Sequence, residues 1–270
     1  MNRSQVPFVG FIVVGTVIIV SAIATCPDPA MCARRYLEPK GWADTLIGVV
    51  MPLAGGLAVL WAARLAFLLG RGMHRLSRLP RSEMPPTRLL ASIARTGVRR
   101  VRCVAVRAPI AFCAGVLTPE IVVSEGLADR LGDDELDAVL LHEQHHLCER
   151  EPAMRAAAEA AAEVLFFVPI ARWLARRRTE EAELRADRAA VQELGPRPVA
   201  AALCTLGSTR TAEAAAFAGV AELRVAQLLG DPIPVRRPGL RLVAASLFAV
   251  PFAVLAVTCI IQSVSRIAAG

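Results

Sequence analysis

From Val6 to Ala24 the chain carries no charged residue (VPFVGFIVVGTVIIVSAIA). At a helical rise of about 1.5 Å per residue, such a run matches the hydrocarbon thickness of a bilayer. Thr45 to Ala63 is a second uncharged stretch, with apolar character resuming after Arg64 through Leu69, and Leu242 to Ser265 is a third. Three runs of this kind restrict the architecture more than any other feature: the chain is expected to cross a membrane three times. A cleaved signal peptide is the alternative for the first run, since Arg3 precedes it. The length of that run, and a second apolar segment close behind it, favour a retained span. A composition that is 55% hydrophobic but only 5% aromatic agrees with partial residence in lipid.

The net charge of +7 has two physical readings, nucleic acid or membrane flank, and its distribution decides between them. Between Arg71 and Arg102 there are nine arginines and one acid, Glu83, and Arg236, Arg237 and Arg241 precede the last apolar run. The loop from Thr25 to Asp44 instead balances Arg34, Arg35 and Lys40 against Asp28, Glu38 and Asp44. Positive residues accumulate on the cytoplasmic side, so the N-terminus and the central region are expected inside, and the first loop and the C-terminal tail outside. No aromatic side chains are interleaved with the arginines to stack on bases, so no direct nucleic-acid partner is expected.

Of seven cysteines, Cys26 and Cys32 fall in the expected outer loop, where a local disulfide is chemically allowed. Cys103, Cys113, Cys148 and Cys204 fall on the reducing side and read as small core residues. The organisation reads as a two-span membrane region over 1–70, a basic linker over 71–97, a catalytic domain over 98–235 and a last span over 236–270. Within the third region, VRRVRCVAVRA, IAFCAG and EIVVSEGL alternate as strands do and suggest a short antiparallel sheet. Asp133, Asp134 and Glu135 then place acid in a first helical turn, starting a helix that runs to about Arg150. Residues 153–175 carry Arg155, Glu159 and Glu163 and read as a buried or membrane-surface helix rather than a crossing. Residues 179–194 form another helix, ended by Gly195 and Pro196, and 197–230 look helical.

The helix after Asp133 contains His142-Glu143-Gln144-His145-His146. His142 and His146, four apart, leave one helical face about a turn apart, so that two imidazoles can bind one zinc ion. Glu143 follows the first ligand, where its carboxylate can take a proton from a zinc-activated water attacking a peptide carbonyl. Three of the chain's four histidines lie within these five positions, which argues against a chance polar surface. His145 points about 100° away from His146 and is expected to face solvent or to lie beside the ligands.

A catalytic zinc needs a third protein ligand and an open position. Glu183, in Glu183-Leu184-Arg185-Ala186-Asp187, would complete a His₂Glu set, with Glu180 and Glu181 as substitutes. Asp187, four residues on, can accept an N–H from a ligand imidazole and fix its tautomer. An ordinary charged helix is the competing reading of this stretch. His146 and Glu183 must share one side of the membrane. Only 36 residues intervene, fewer than the roughly 40 that two crossings consume. No group that would stabilise an oxyanion is legible; Arg185 and Arg188 are the nearest arginines.

The run AFCAGVLTPEIVVSEGLADRLGDDELDAVLLHEQHHLCERE, together with ELRAD, resembles the BlaR/MecR family of integral-membrane metalloproteases, relatives of the HtpX and CAAX-protease group. The Gly-x-x-x-Pro-x-Ile-x-x-Ser segment (Gly115, Pro119, Ile121, Ser124) adds specificity to the likeness, which is strongest over residues 99–195. The resemblance implies zinc ligands His142, His146 and Glu183 with catalytic Glu143. It also implies a mostly helical membrane protein with a cytoplasmic zincin-like α+β domain, and a protein substrate such as a BlaI/MecI-type transcriptional repressor. Receptor forms in that family carry an extracellular penicillin-binding sensor after the last span; this chain ends soon after Ser265, so no such sensor is expected. Two alternatives stand beside repressor cleavage: HtpX-like quality control of membrane proteins, and a non-catalytic signalling scaffold that retains the zinc site.

Overall fold

The computed structural model describes residues 42–116, 118–207, 214–233 and 236–269. The first expected span and the loop with Cys26 and Cys32 lie outside the described residues. The chain is mostly helical with one small sheet, and it divides into two compact units.

The first unit gathers the chain up to Ala66, Ala160–Arg172 and the chain from Pro238. Helix α1 (Trp42–Ser77) includes the stretch Val50–Ser77, the one described helix long and apolar enough to cross a membrane. Only 6% of its most apolar window is buried by the rest of the protein, so its side chains need an apolar surrounding from elsewhere. The third expected span falls in the last helix (Leu240–Ala269), whose apolar part is described over Leu240–Val254. One candidate span stands among the described residues. Polar ties join the segments of this unit. Arg64 pairs with Glu163, and Ser246 Oγ accepts the Ile170 N–H at 2.9 Å while donating to the Leu242 carbonyl at 2.8 Å.

The second unit comprises Phe67–Glu159 and Trp173–Arg237. Its strands are β1 (Val101–Val104), β2 (Ala111–Ala114) and β3 (Glu120–Ser124), in spatial order β1-β3-β2. β3 is antiparallel to β2 but parallel to β1, so the sheet is mixed and not antiparallel throughout as expected. The reason lies in the connections. The segment between β1 and β2 carries Pro109 and no tight hairpin dipeptide, so these strands do not pair, and β3 enters between them. Between β2 and β3, Gly115 turns the chain at φ +100°, where a Cβ would stand 2.7 Å from the Thr118 carbonyl oxygen.

β3 is covered on both faces: Ile121, Val122 and Val123 are fully buried, each worth about 1.5–3 kcal/mol relative to exposure. It ends at Ser124, whose hydroxyl accepts the Leu127 N–H and so caps the helix that begins at Glu125. Helix α2 (Thr87–Thr96) precedes the sheet; α3 (Glu125–Arg130) and α4 (Asp133–Cys148) follow it. The Ser124 hydroxyl also donates to the Ala108 carbonyl at 2.7 Å and accepts the Ile110 N–H at 3.0 Å, tying strand, loop and helix at one oxygen. At Gly126 a Cβ would lie 2.0 Å from the Arg107 carbonyl oxygen, so only glycine fits that crossing.

Within 71–97, read from sequence as a basic linker, α1 runs on to Ser77 and α2 forms a further helix. The face of α2 bearing Leu89 and Ser92 is buried, and it packs against α4. Asp137 of α4 receives the guanidinium of Arg95 through two hydrogen bonds of 2.8 Å and a further bond from the Ser92 hydroxyl. The remaining helices are α5 (Glu151–Val164), α6 (Pro169–Leu194), α7 (Pro196–Gly207), α8 (Ala214–Leu229) and α9 (Leu240–Ala269). Of the cysteines expected in a core, Cys103 is buried and Cys113 half-buried. Cys148, at the end of α4, and Cys204, on α7, are exposed instead.

Candidate active site

α4 begins with Asp133, Asp134 and Glu135 against the positive end of the helix, and Glu135 accepts the Gly132 N–H at 3.0 Å. Leu136 and Leu140 fix its inner face in the core, which sets the rotation of the turn that follows. That rotation buries His142, Glu143 and His146 together. The two imidazoles stand edge to face, their Nε2 atoms 3.1 Å apart.

α6 supplies the opposite wall. Glu183 reaches His142 Nε2 at 3.5 Å and His146 Nε2 at 3.8 Å, one carboxylate oxygen toward each ring. A candidate ligand atom from each of His142, His146 and Glu183 lies within 4.8 Å of the others, a group that can hold a metal ion. One turn along, the fully buried Asp187 places Oδ1 at 2.9 Å from His142 Nδ1. His142 therefore turns Nε2 toward the cluster and Nδ1 toward the Asp187 carboxylate.

The electrostatics follow from these contacts. Burial works against charge on both histidines. At His142 the hydrogen bonds to Asp187 and Glu183 outweigh burial and raise its affinity for a proton. At His146 burial, reinforced by the neighbouring His142, drives it well below the ordinary histidine range. At most one of two rings this close carries a positive charge, and the Asp187 carboxylate makes His142 that ring. Burial pushes the Glu143 carboxyl upward, an effect offset in part by His142 and added to by Glu183. Glu183 is held low in spite of its burial, by its hydrogen bond to His142 and the nearby arginines and imidazoles.

The residues expected at the site from sequence, His142, Glu143, His146, Glu183 and Asp187, thus come together. The substitutes do not: Glu181 pairs with Arg177 at 2.7 Å, and Glu180 lies 3.8 Å from Arg177 and 3.7 Å from Arg236. His145 is half-buried and outside the metal-competent group. Arg188 engages Gln227 and not the cluster. Two arginines that sequence reasoning passed over do reach it. Arg155 of α5 donates to Glu183 Oε1 at 3.1 Å, and Arg224 of α8 lies 3.3 Å from Glu183 Oε2. Arg155 registers in sequence only as a charge interrupting an alanine-rich helix, and Arg224 belongs to no motif.

Residues 35–206 match the family model described as BlaR1 peptidase M56, more than half of the chain. The chain belongs to the M56 peptidase family. That family is one of membrane-associated metallopeptidases, which agrees with the apolar α1 and with the donor set on α4 and α6. The M56 match includes His142 through Asp187 and stops before α8, so Arg224 comes from outside it. No curated protein matches the chain closely enough to count as a relative.

Proposed function

We propose that this M56 member is a membrane-anchored, zinc-dependent endopeptidase acting on cytoplasmic or membrane-proximal proteins. In this reading His142, His146 and Glu183 are the zinc ligands, Glu143 is the general base, and Asp187 orients His142. The observation that carries it is the spacing of the donors. Tetrahedral zinc with bonds of about 2.0–2.1 Å sets neighbouring donor atoms about 3.3 Å apart. Here the two Nε2 atoms stand 3.1 Å apart, Glu183 turns one oxygen to each ring at 3.5 and 3.8 Å, and one ligand atom from each residue lies within 4.8 Å of the others, a set of two imidazoles and a carboxylate that leaves the fourth position for reactants.

When bound, zinc supplies Lewis-acid polarisation of the attacked carbonyl and of the water. The chain's own residues do the rest. Asp187 selects the tautomer in which His142 presents a lone pair on Nε2. Glu143 takes the proton from the attacking water and delivers it to the departing amine nitrogen. Its burial raises its basicity, which brings its pKa closer to the working range of a general base. The peptide has a docking edge beside this carboxylate. Ser124 N–H bonds to Ile110, which fixes the hydrogen-bonding phase of β2, so the main-chain groups of Ala111 and Cys113 point away from β3. They pair with no other strand among the described residues; the Cys113 N–H on that side serves the Glu143 carboxylate, and an extended peptide can add at the groups that remain by main-chain hydrogen bonds.

The arginine-rich flanks support a cytoplasmic N-terminus and active site, with three spans and an outer C-terminus. A BlaI/MecI-type repressor is the substrate that the family resemblance implies. The test uses the full chain in detergent or nanodiscs, with unfolded casein as probe and zinc measured by mass spectrometry. Glu143→Gln should retain about one zinc per chain and lose about 10²–10⁴-fold in cleavage rate. Undiminished cleavage, or wild-type protein with no stoichiometric zinc, would overturn the reading. Comparing the proteomes of cells with wild-type and Glu143→Gln protein then identifies the substrate.

A further inference from the structure

Among the described residues, the one charged side chain that bridges a proposed ligand and its orienting carboxylate comes from α8, outside the span matched by the family. Arg224 Nε donates to Asp187 Oδ2 at 2.6 Å and Nη2 donates to Asp187 Oδ1 at 2.7 Å, a two-pronged grip on both oxygens. Its third nitrogen, Nη1, lies 3.3 Å from Glu183 Oε2. The Arg224 side chain is only 16% exposed, so these contacts form in a largely water-free setting where they hold geometry strongly. Asp187 has no freedom left: one oxygen serves His142 Nδ1 and Arg224, the other serves Arg224 alone.

Docking of α8 makes this grip possible. One turn on from Arg224, Gln227 donates through Nε2 to the Leu184 carbonyl at 3.0 Å and accepts from Arg188 Nε at 3.2 Å. Arg224 and Gln227 lie three residues apart on one face of α8. That face meets the turn of α6 that carries Glu183, Leu184, Asp187 and Arg188. Arg155, on the other oxygen of Glu183, differs on both counts: its side chain is 42% exposed and makes no contact with Asp187 among those described.

We propose that Arg224 is a positioning residue of the metal centre, locking the Asp187 carboxylate that aims His142 and setting where Glu183 can reach. The inference rests on the zinc-ligand reading above. Three links form the chain of action: the guanidinium fork fixes Asp187, Asp187 fixes the His142 ring, and Nη1 fixes the reach of Glu183. A lysine keeps the charge but cannot grip two oxygens and reach a third, so charge alone does not replace it.

Cobalt(II) is the probe, because its absorption reports ligand geometry without turnover. Full-length wild type, Arg224→Lys, Arg224→Ala and Gln227→Ala are titrated with cobalt and zinc, and each is melted without metal. Arg224→Lys should melt near wild type, yet bind zinc about 10–100-fold more weakly and show an altered cobalt spectrum. Gln227→Ala, which loosens α8 but keeps the fork, should lower the melting midpoint and leave the spectrum of the bound ion unchanged. Arg224→Ala should match or exceed the Arg224→Lys loss of affinity; if it fails to fold, the Lys variant decides. Wild-type affinity and spectrum in Arg224→Lys would overturn the proposal, as would an equal spectral change in Gln227→Ala. Wild type that binds neither metal would instead overturn the zinc-ligand reading, and the proposal with it.

Discussion

On α4 the site residues ride on a helix held by apolar burial, with Leu136 and Leu140 fully enclosed beneath His142 and His146. On α6 the partners Glu183 and Asp187 are held by charge: Arg155 and Arg224 on Glu183, Arg224 again on Asp187, and Arg178 on the buried Glu151 at 3.1 Å. The first wall depends on a non-directional force that tolerates small errors of angle. The second depends on directional bonds whose loss leaves a charge stranded, at a cost of several kcal/mol for a buried group. Under the zinc-ligand reading, a centre assembled from both can be damaged in two distinguishable ways, by loosening the helix or by mis-aiming a donor.

The largest expected effect is at the apolar wall itself. His146→Ala should abolish stoichiometric zinc and cleavage together; one zinc per purified chain would break the assignment of that wall. Leu140→Ala should cost about 2–5 kcal/mol of stability in chemical denaturation, with zinc affinity of the folded fraction little changed. A selective loss of affinity there would erase the distinction between the two walls. Asp187→Asn should do the reverse, weakening zinc about 10–100-fold by competition titration, through the mis-aimed imidazole. Arg155→Ala, which removes a half-exposed partner, should change stability by about 1 kcal/mol or less. A loss of zinc affinity as large as that of Arg224→Lys would show that exposure does not separate the two arginines. The smallest effect is chemical: burial pushes the Cys113 thiol up to about 12, so iodoacetamide at pH 8 should label exposed Cys148 well before Cys113.

The same contrast explains what could be read before folding. His142, Glu143 and His146 are close in sequence, and helical geometry alone brings them together. The acidic first turn at Asp133 likewise announces α4 within two residues of its observed end at Cys148. Gly115 and Ser124, both part of the family-like pattern, turn out to be a positive-φ turn and a helix cap, both local devices. Glu183 and Asp187 were reachable because chemistry demands a third ligand and an aimed imidazole. Arg224 was not, because nothing local marks an arginine whose partners lie 37 and 41 residues away. The sheet failed for a related reason: alternation marks strands but not which neighbour each will choose, so β3 entering between β1 and β2 was invisible. Helix α2 was hidden by the arginines that Asp137 and Asp133 partner.

The flank of β2 turned away from β3 carries a last consequence. A main chain can join it only after giving up its own internal pairing, which helices and sheet interiors do not do. Under the proteolytic reading, the first filter on victims is therefore their state of order. Loose tails and opened loops enter, while well-folded neighbours in the crowded cell pass untouched, whatever their side chains.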